Sequence, residues 1–356
     1  MSGPITRKRA RLESSNDNSH DIPEGTGQSS NEQQDDRNAT RTRDKDFWYD
    51  DGTIILVAGS VEFRVYKGIL SENSSVFRDM FSLPQPPIPS TALPTADGCP
   101  VVHLSDSPKD WRHVLRVYTH KNHPSPFFVT APSYSYAMIS AAVRLGHKYQ
   151  MSKLLDHAME YLKNHYVCDF DTWGSYPDYF PAGFEDHGQA IGVVNLARLT
   201  EETTVLPTAL LACCALNEKI VEGFIREDGT REQLALEDIK LCLAARDRLV
   251  KKSIGIAFRV FHPIVAEGCM SFESCVEIFK RMPTSLNYHI DEIAKPDLWS
   301  VPPFDDKFGA GMLCQQCRVM VKARIASERS VGWNELPEVF DIELPVRASD
   351  AAWWCR

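Results

Sequence analysis

A change of hydrophobic period inside one short stretch constrains this chain most. From Phe47 to Leu83 it reads FWYDDGTIILVAGSVEFRVYKGILSENSSVFRDMFSL. Thr53 to Ala58 is an almost unbroken apolar run rich in β-branched residues, the pattern of a strand buried on both faces. Gly59 and Ser60 supply a turn. Val61, Phe63 and Val65 then alternate with Glu62, Arg64 and Tyr66, the period of two that puts one face inside and the other in water. From Lys67 the period lengthens. Ile69 and Leu70, then Val76, Phe77, Met80 and Phe81, recur at helical spacing, with Ser74 or Ser75 placed to cap the second helix. The spacing therefore predicts a hairpin, a short helix and a second helix before Pro84. Because a hairpin alone buries too little to be stable, the helices after it must cover its apolar face.

The same residues carry a resemblance. The stretch resembles the core of a BTB/POZ domain: an Asp, a strand, a turn, a Phe-containing second strand, a short helix, and then a helix of the type Ser-x-x-Phe-x-x-Met-Phe. Asp51, Ile54, Val57, Phe63, Leu70, Ser74, Phe77, Met80 and Phe81 fill those places, and Tyr66 stands where the family usually has histidine. The wording is also similar to BTB proteins of mushroom-type (basidiomycete) fungi. The resemblance implies an α+β fold, a small sheet of about three strands covered by helices. It also implies protein binding rather than chemistry.

At 356 residues the chain has room for two domains and a tail. A formal charge of −9 gives no overall positive field to attract nucleic acid or an anionic membrane. The longest apolar run, Leu206 to Leu216, is too short to span a bilayer. With no N-terminal hydrophobic signal, the expected location is cytoplasmic or nuclear, and the ten cysteines are expected to be reduced.

Residues 1–46 are poor in apolar side chains and read as a disordered tail. Arg7, Lys8, Arg9 and Arg11 cluster there, as a nuclear-import signal or a solvated basic patch. With eight Lys/Arg against nine Asp/Glu, the segment is no basic DNA-binding arm. The BTB/POZ domain is expected over 47–166. It holds a Pro-rich loop at 84–100, a third strand at Val101 to Leu104, a helix opened by Ser107 and Pro108, and a helix pair ending near Tyr166. Residues 167–186 read as a linker. Residues 187–356 read as an all-α C-terminal domain, with helices over Gln189 to Leu199, Leu206 to Leu216, Leu236 to Phe261 (one long helix or two), Phe272 to Phe279 and Val319 to Ser330.

One constellation in that half has ligand chemistry. Cys314 and Cys317 form a Cys-x-x-Cys, and Cys269 and Cys275 lie upstream across a turn at Gly268. Four thiols in two pairs suit a structural zinc site, which takes four S or N ligands in tetrahedral array. The alternative is a set of buried or unpaired thiols. No nucleophile elbow, phosphate loop or His-Glu-x-x-His occurs, and a closed four-cysteine site leaves no open coordination position, so no enzyme is expected.

The expected function is a non-enzymatic interaction module or scaffold, with two jobs implied by the resemblance. One is substrate adaptor for a cullin-type ubiquitin ligase. The other is nuclear transcription co-regulator recruited through protein contacts, with no DNA-binding motif of its own. Partners would be proteins, a cullin or a second copy as homodimer, with no direct nucleic acid, membrane or small-molecule substrate. Cullin-binding members often carry an acidic hydrophobic-x-Glu motif after the third-strand helix, yet Arg116 to Ala131 holds no Asp or Glu. Residues 13–46 offer no amphipathic helix of the kind that strand-exchanged BTB dimers use.

Overall fold

The computed structural model describes residues 41–83, 98–119, 126–128, 133–167, 169–174, 181, 183–296 and 310–343. The basic cluster at 7–11 and most of the Pro-rich loop lie outside them. The described residues form one compact unit.

The hairpin is the centre of a four-stranded mixed sheet. Strands β2 (Ile54–Ala58) and β3 (Val61–Val65) pair antiparallel, Leu56 facing Phe63 across the ladder. Gly59 turns the chain with φ +54°, the left-handed region that glycine adopts without steric cost. Every residue of β2 is buried, whereas on β3 only Val61, Phe63 and Val65 are. Strand β4 (Val101–Leu104) pairs parallel to β2.

A further strand precedes the hairpin. β1 (Thr42–Trp48) runs parallel to β3, giving the order β1-β3-β2-β4. It takes in Thr42 to Asp46, which the sequence assigns to the tail because TRDKDFW has no apolar alternation. Only Asp44 and Phe47 are buried. The Asp44 carboxylate accepts from the Asp46 and Phe47 amides at 2.9 and 3.0 Å and from Arg112 Nε at 2.6 Å. Burial works against its charge, but Arg112 and the two amides outweigh that and hold its carboxyl below the ordinary range.

Helices α1 (Lys67–Asn73) and α2 (Ser75–Ser82) follow. Ser74 is the cap: its Oγ accepts from the Phe77 amide at 3.1 Å and donates to the Tyr149 carbonyl at 2.5 Å. That second bond joins α2 to the turn between α4 (Tyr136–Lys148) and α5 (Ser152–His165). Phe77 is fully buried, stacked on Tyr149 at 4.8 Å and edge-on to Trp111 of α3 (Pro108–Tyr118) at 5.8 Å. The helices thus cover the hairpin through a cluster of rings.

Beyond Tyr166 come α6 (Phe170–Gly174), α7 (Gln189–Leu199), α8 (Leu206–Cys214), α9 (Lys219–Glu222), α10 (Leu236–Val260), α11 (Phe272–Tyr288), α12 (Ile290–Ile293), α13 (Gln315–Asn334) and α14 (Leu336–Val339). Helix α8 is buried at every position, as a helix apolar all round must be. Three features differ from expectation. A two-stranded hairpin, β5 (Phe224–Ile225) with β6 (Arg231–Glu232), interrupts the helices. Helix α11 runs on through Pro283 to Tyr288, where Phe279 was expected to end it. In the stretch read as a linker, Trp173 and Phe184 are buried. One hydrophobic core runs from Phe63 and Trp111 through Ile191 and Leu210 to Phe279 and Trp333. No helix among the described residues is long and apolar enough to cross a membrane.

Truncating Phe77 to Ala should cost about 3–5 kcal/mol of stability through the cavity left among the rings. Ser74→Ala should cost about 1–3 kcal/mol, the value of a lost cap plus an orphaned buried carbonyl. Urea unfolding of the full chain measures both, and a Phe77→Ala midpoint equal to wild type would contradict the ring-cluster account.

Candidate functional site

Three places in the fold concentrate chemistry. The first is a buried polar node between the sheet-bearing half and the helical half. Glu232, on β6, is 7% exposed. Its carboxylate accepts from Arg144 of α4 at 2.5 Å, Asn195 of α7 at 2.9 Å and the Tyr136 hydroxyl at 3.1 Å. Gly192 makes that approach possible, since a Cβ there would lie 1.9 Å from the Tyr136 hydroxyl oxygen. Arg226, in the turn after β5, stands 3.6 Å from Glu232, and its Nη2 donates to both carboxylate oxygens of Asp110 of α3 at 2.9 and 3.1 Å. Burial works against the charge of the Arg226 guanidinium, but Asp110, Asp228 and Glu232 around it outweigh that and favour the charged form. The same hairpin places Glu227 2.6 Å from His113 of α3.

The second is an open groove of about 800 Å³ where the ends of α1, α3 and α5 meet. Tyr118, Phe128 and His157 give it an apolar floor, and Lys153, Asp156 and Glu160 line it with charge. Phe128 is 42% exposed, its ring 5.4 Å from that of His157. Burial pushes the Tyr118 hydroxyl up to about 12 and holds the His157 imidazole below its ordinary value.

The third is the four-cysteine cluster. Cys269 sits after the turn at Gly268 (φ +78°), Cys275 in the first turn of α11, Cys314 at the residue capping α13, and Cys317 in the first turn of α13. The four sulfurs all lie within 4.8 Å of one another, with Cys269 at 3.6 Å from both Cys314 and Cys317. Cys275 and Cys317 are buried, Cys269 and Cys314 half-buried. Ala266 N–H donates to Cys317 Sγ and Cys314 N–H to Cys275 Sγ, each at 3.4 Å. Amides of Cys317 and Met270 hold the Cys314 thiol well below its ordinary value, while burial pushes the Cys317 thiol up. Among the described residues this is the one group of three or more metal-ligating side chains so placed. Cys213, Cys214 and Cys242 are buried where α8 meets α10, Cys213 raised by desolvation, and act as small apolar residues there.

Of the other residues singled out by sequence, Ile54, Phe63, Leu70 and Phe77 join the main core, with Met80 and Phe81 half-buried against it. Val57 lies on the opposite face of the sheet, with Ile55 and Cys99. Asp51 is exposed and accepts from the Tyr66 hydroxyl at 2.7 Å. The polar node was missed. Its one sequence signal was Arg144, a lone charge in the apolar run of α4.

Comparison with protein-family models matches residues 42–166 to the BTB/POZ domain, from the start of β1 to the end of α5. That stretch has the BTB/POZ fold, a protein–protein interaction module, and a helical region follows it. Comparison with curated proteins and with solved structures gives no match.

Arg226→Ala would leave Asp110 and Glu232 short of a partner away from water, and should destabilise the chain by about 3–5 kcal/mol. Lys251→Ala, which breaks a surface pair to Asp247 on α10, should cost less than about 1 kcal/mol. Denaturant melts of both variants check the contrast, and equal effects would contradict the buried-node reading.

Proposed function

We propose that the chain is a non-catalytic protein-binding scaffold, its BTB/POZ domain engaging a partner and its helical half presenting a second surface in fixed orientation. The observation that carries this is the interaction-module fold over residues 42–166. The open groove at the ends of α3 and α5 supports it, because an apolar floor with a charged rim is the make-up of a protein-docking patch. The partner class we put first is a cullin-type ubiquitin-ligase subunit, which would make the chain a substrate adaptor. The segment where cullin-binding members carry their acidic motif begins at the end of α3, beside the groove. This chain would have to meet a cullin without that motif, using Asp156 and Glu160 of α5 as the acidic groups.

Binding of a purified cullin N-terminal region to the immobilised full chain tests the adaptor role. The expected result is measurable affinity that Phe128→Glu weakens at least about tenfold, or about 1.4 kcal/mol. Phe128 is exposed enough for that change to leave the fold intact. No binding by the wild-type chain would end the adaptor reading.

A second reading, nuclear co-regulator, is favoured by the basic cluster of Arg7, Lys8, Arg9 and Arg11 in the sequence. It predicts nuclear accumulation of the full chain, lost when those four residues become Ala. A wild-type protein confined to the cytosol would contradict it.

A further inference from the structure

We infer that Cys269, Cys275, Cys314 and Cys317 bind one zinc ion as a closed, structural tetrathiolate site. The sulfurs come from two segments far apart in the chain, yet all four lie within 4.8 Å of one another. Tetrahedral zinc, with its ligands at about 2.3 Å, places sulfurs about 3.8 Å apart. Cys269 stands 3.6 Å from both Cys314 and Cys317, close to that spacing. Cys213, Cys214 and Cys242 also meet, where α8 packs on α10, yet they do not form a group with metal-ligating spacing, whereas the four sulfurs here do.

Paired disulfides fit less well. In either case that uses a 3.6 Å approach, Cys269 serves two neighbours equally, and a disulfide would have to choose one of them. A single ion accepts all four. The surroundings also suit an anionic sulfur cluster: the Ala266 and Cys314 amides each aim at a sulfur, the outer hydrogen bonds that orient and stabilise ligating thiolates. An all-sulfur tetrahedral set selects a soft or borderline ion, zinc or iron, over magnesium or calcium. Four protein ligands leave no position for water or substrate, so the ion would hold structure and perform no reaction.

The structural task is visible in what the four residues join. Cys269 belongs to the loop between α10 and α11, Cys275 to the start of α11, and Cys314 and Cys317 to the start of α13. A metal clip across them closes a long loop and fixes α13 against the end of α10. Arg324 of α13 makes the neighbouring contact, donating to the carbonyls of Val260, His262 and Ile264.

The test is the metal content of the full-length protein purified without chelator, measured by elemental analysis, followed by replacement of the bound ion with Co²⁺. The expected results are one zinc per chain, and a cobalt form with visible ligand-field bands and thiolate charge-transfer absorption of a tetrahedral all-sulfur site. Cys314→Ser, at a half-buried position, should lose the zinc while keeping the wild-type helical circular dichroism; Cys99→Ser, outside the cluster, should keep it. Wild-type protein with no metal and these four cysteines free to alkylate overturns the inference, as do disulfides among them found by mass spectrometry, or iron in place of zinc.

Discussion

The arrangement depends on keeping one buried carboxylate partnered away from water. Glu232 is nearly sealed, and an isolated ionised group in that position would cost several kcal/mol, a large share of a domain's whole stability. Its partners arrive from α4 and α7 and from the hairpin's own Arg226, which is anchored in turn on α3. Satisfying Glu232 therefore fixes the positions of helices from both halves of the chain at once. The apolar core gives these halves affinity for each other; the charged node sets their register, because an off-register packing would strand a charge.

This bears on how the chain can serve as a binding protein. An interaction domain tied to its neighbour by a flexible linker samples many orientations, whereas here the core is continuous from Phe63 to Trp333. Helix α10, about 37 Å long, spans between the polar node near its start and the four-cysteine cluster near its end. A partner held in the groove by α3 and α5 would thus stand at a set distance from whatever the far helices contact.

The legible parts of the fold were those with strict periodicity and local punctuation. The β2–β3 hairpin announced itself by its change of period, and the cap by a pair of serines before an amphipathic turn, of which the structure uses Ser74. Strand β1 could not be read, because its pairing is backbone to backbone and five of its residues are polar or charged; only Asp44, met by Arg112 from α3, shows why it lies inside. The full length of α11 was not legible past Phe279, and the structure absorbs Pro283, a residue that ordinarily stops a helix, within a continuous one. The cysteine set was readable as spacing, although the convergence of the pairs was not. The polar node was nearly invisible for a general reason: Asp110, Arg226 and Glu232 look like solvated surface residues until tertiary packing removes the solvent, and only Arg144, a charge inside an apolar run, hints at it.

The central claim is that the BTB/POZ half and the helical half are one cooperative body. Hydrogen exchange of the full-length protein, followed by mass spectrometry across a series of denaturant concentrations, tests it most directly. The account predicts that amides of β2, β3, α4, α8 and α10 open together, with one free energy and one denaturant dependence. Separate opening, with the strands still protected after α8 and α10 have exchanged, would contradict it.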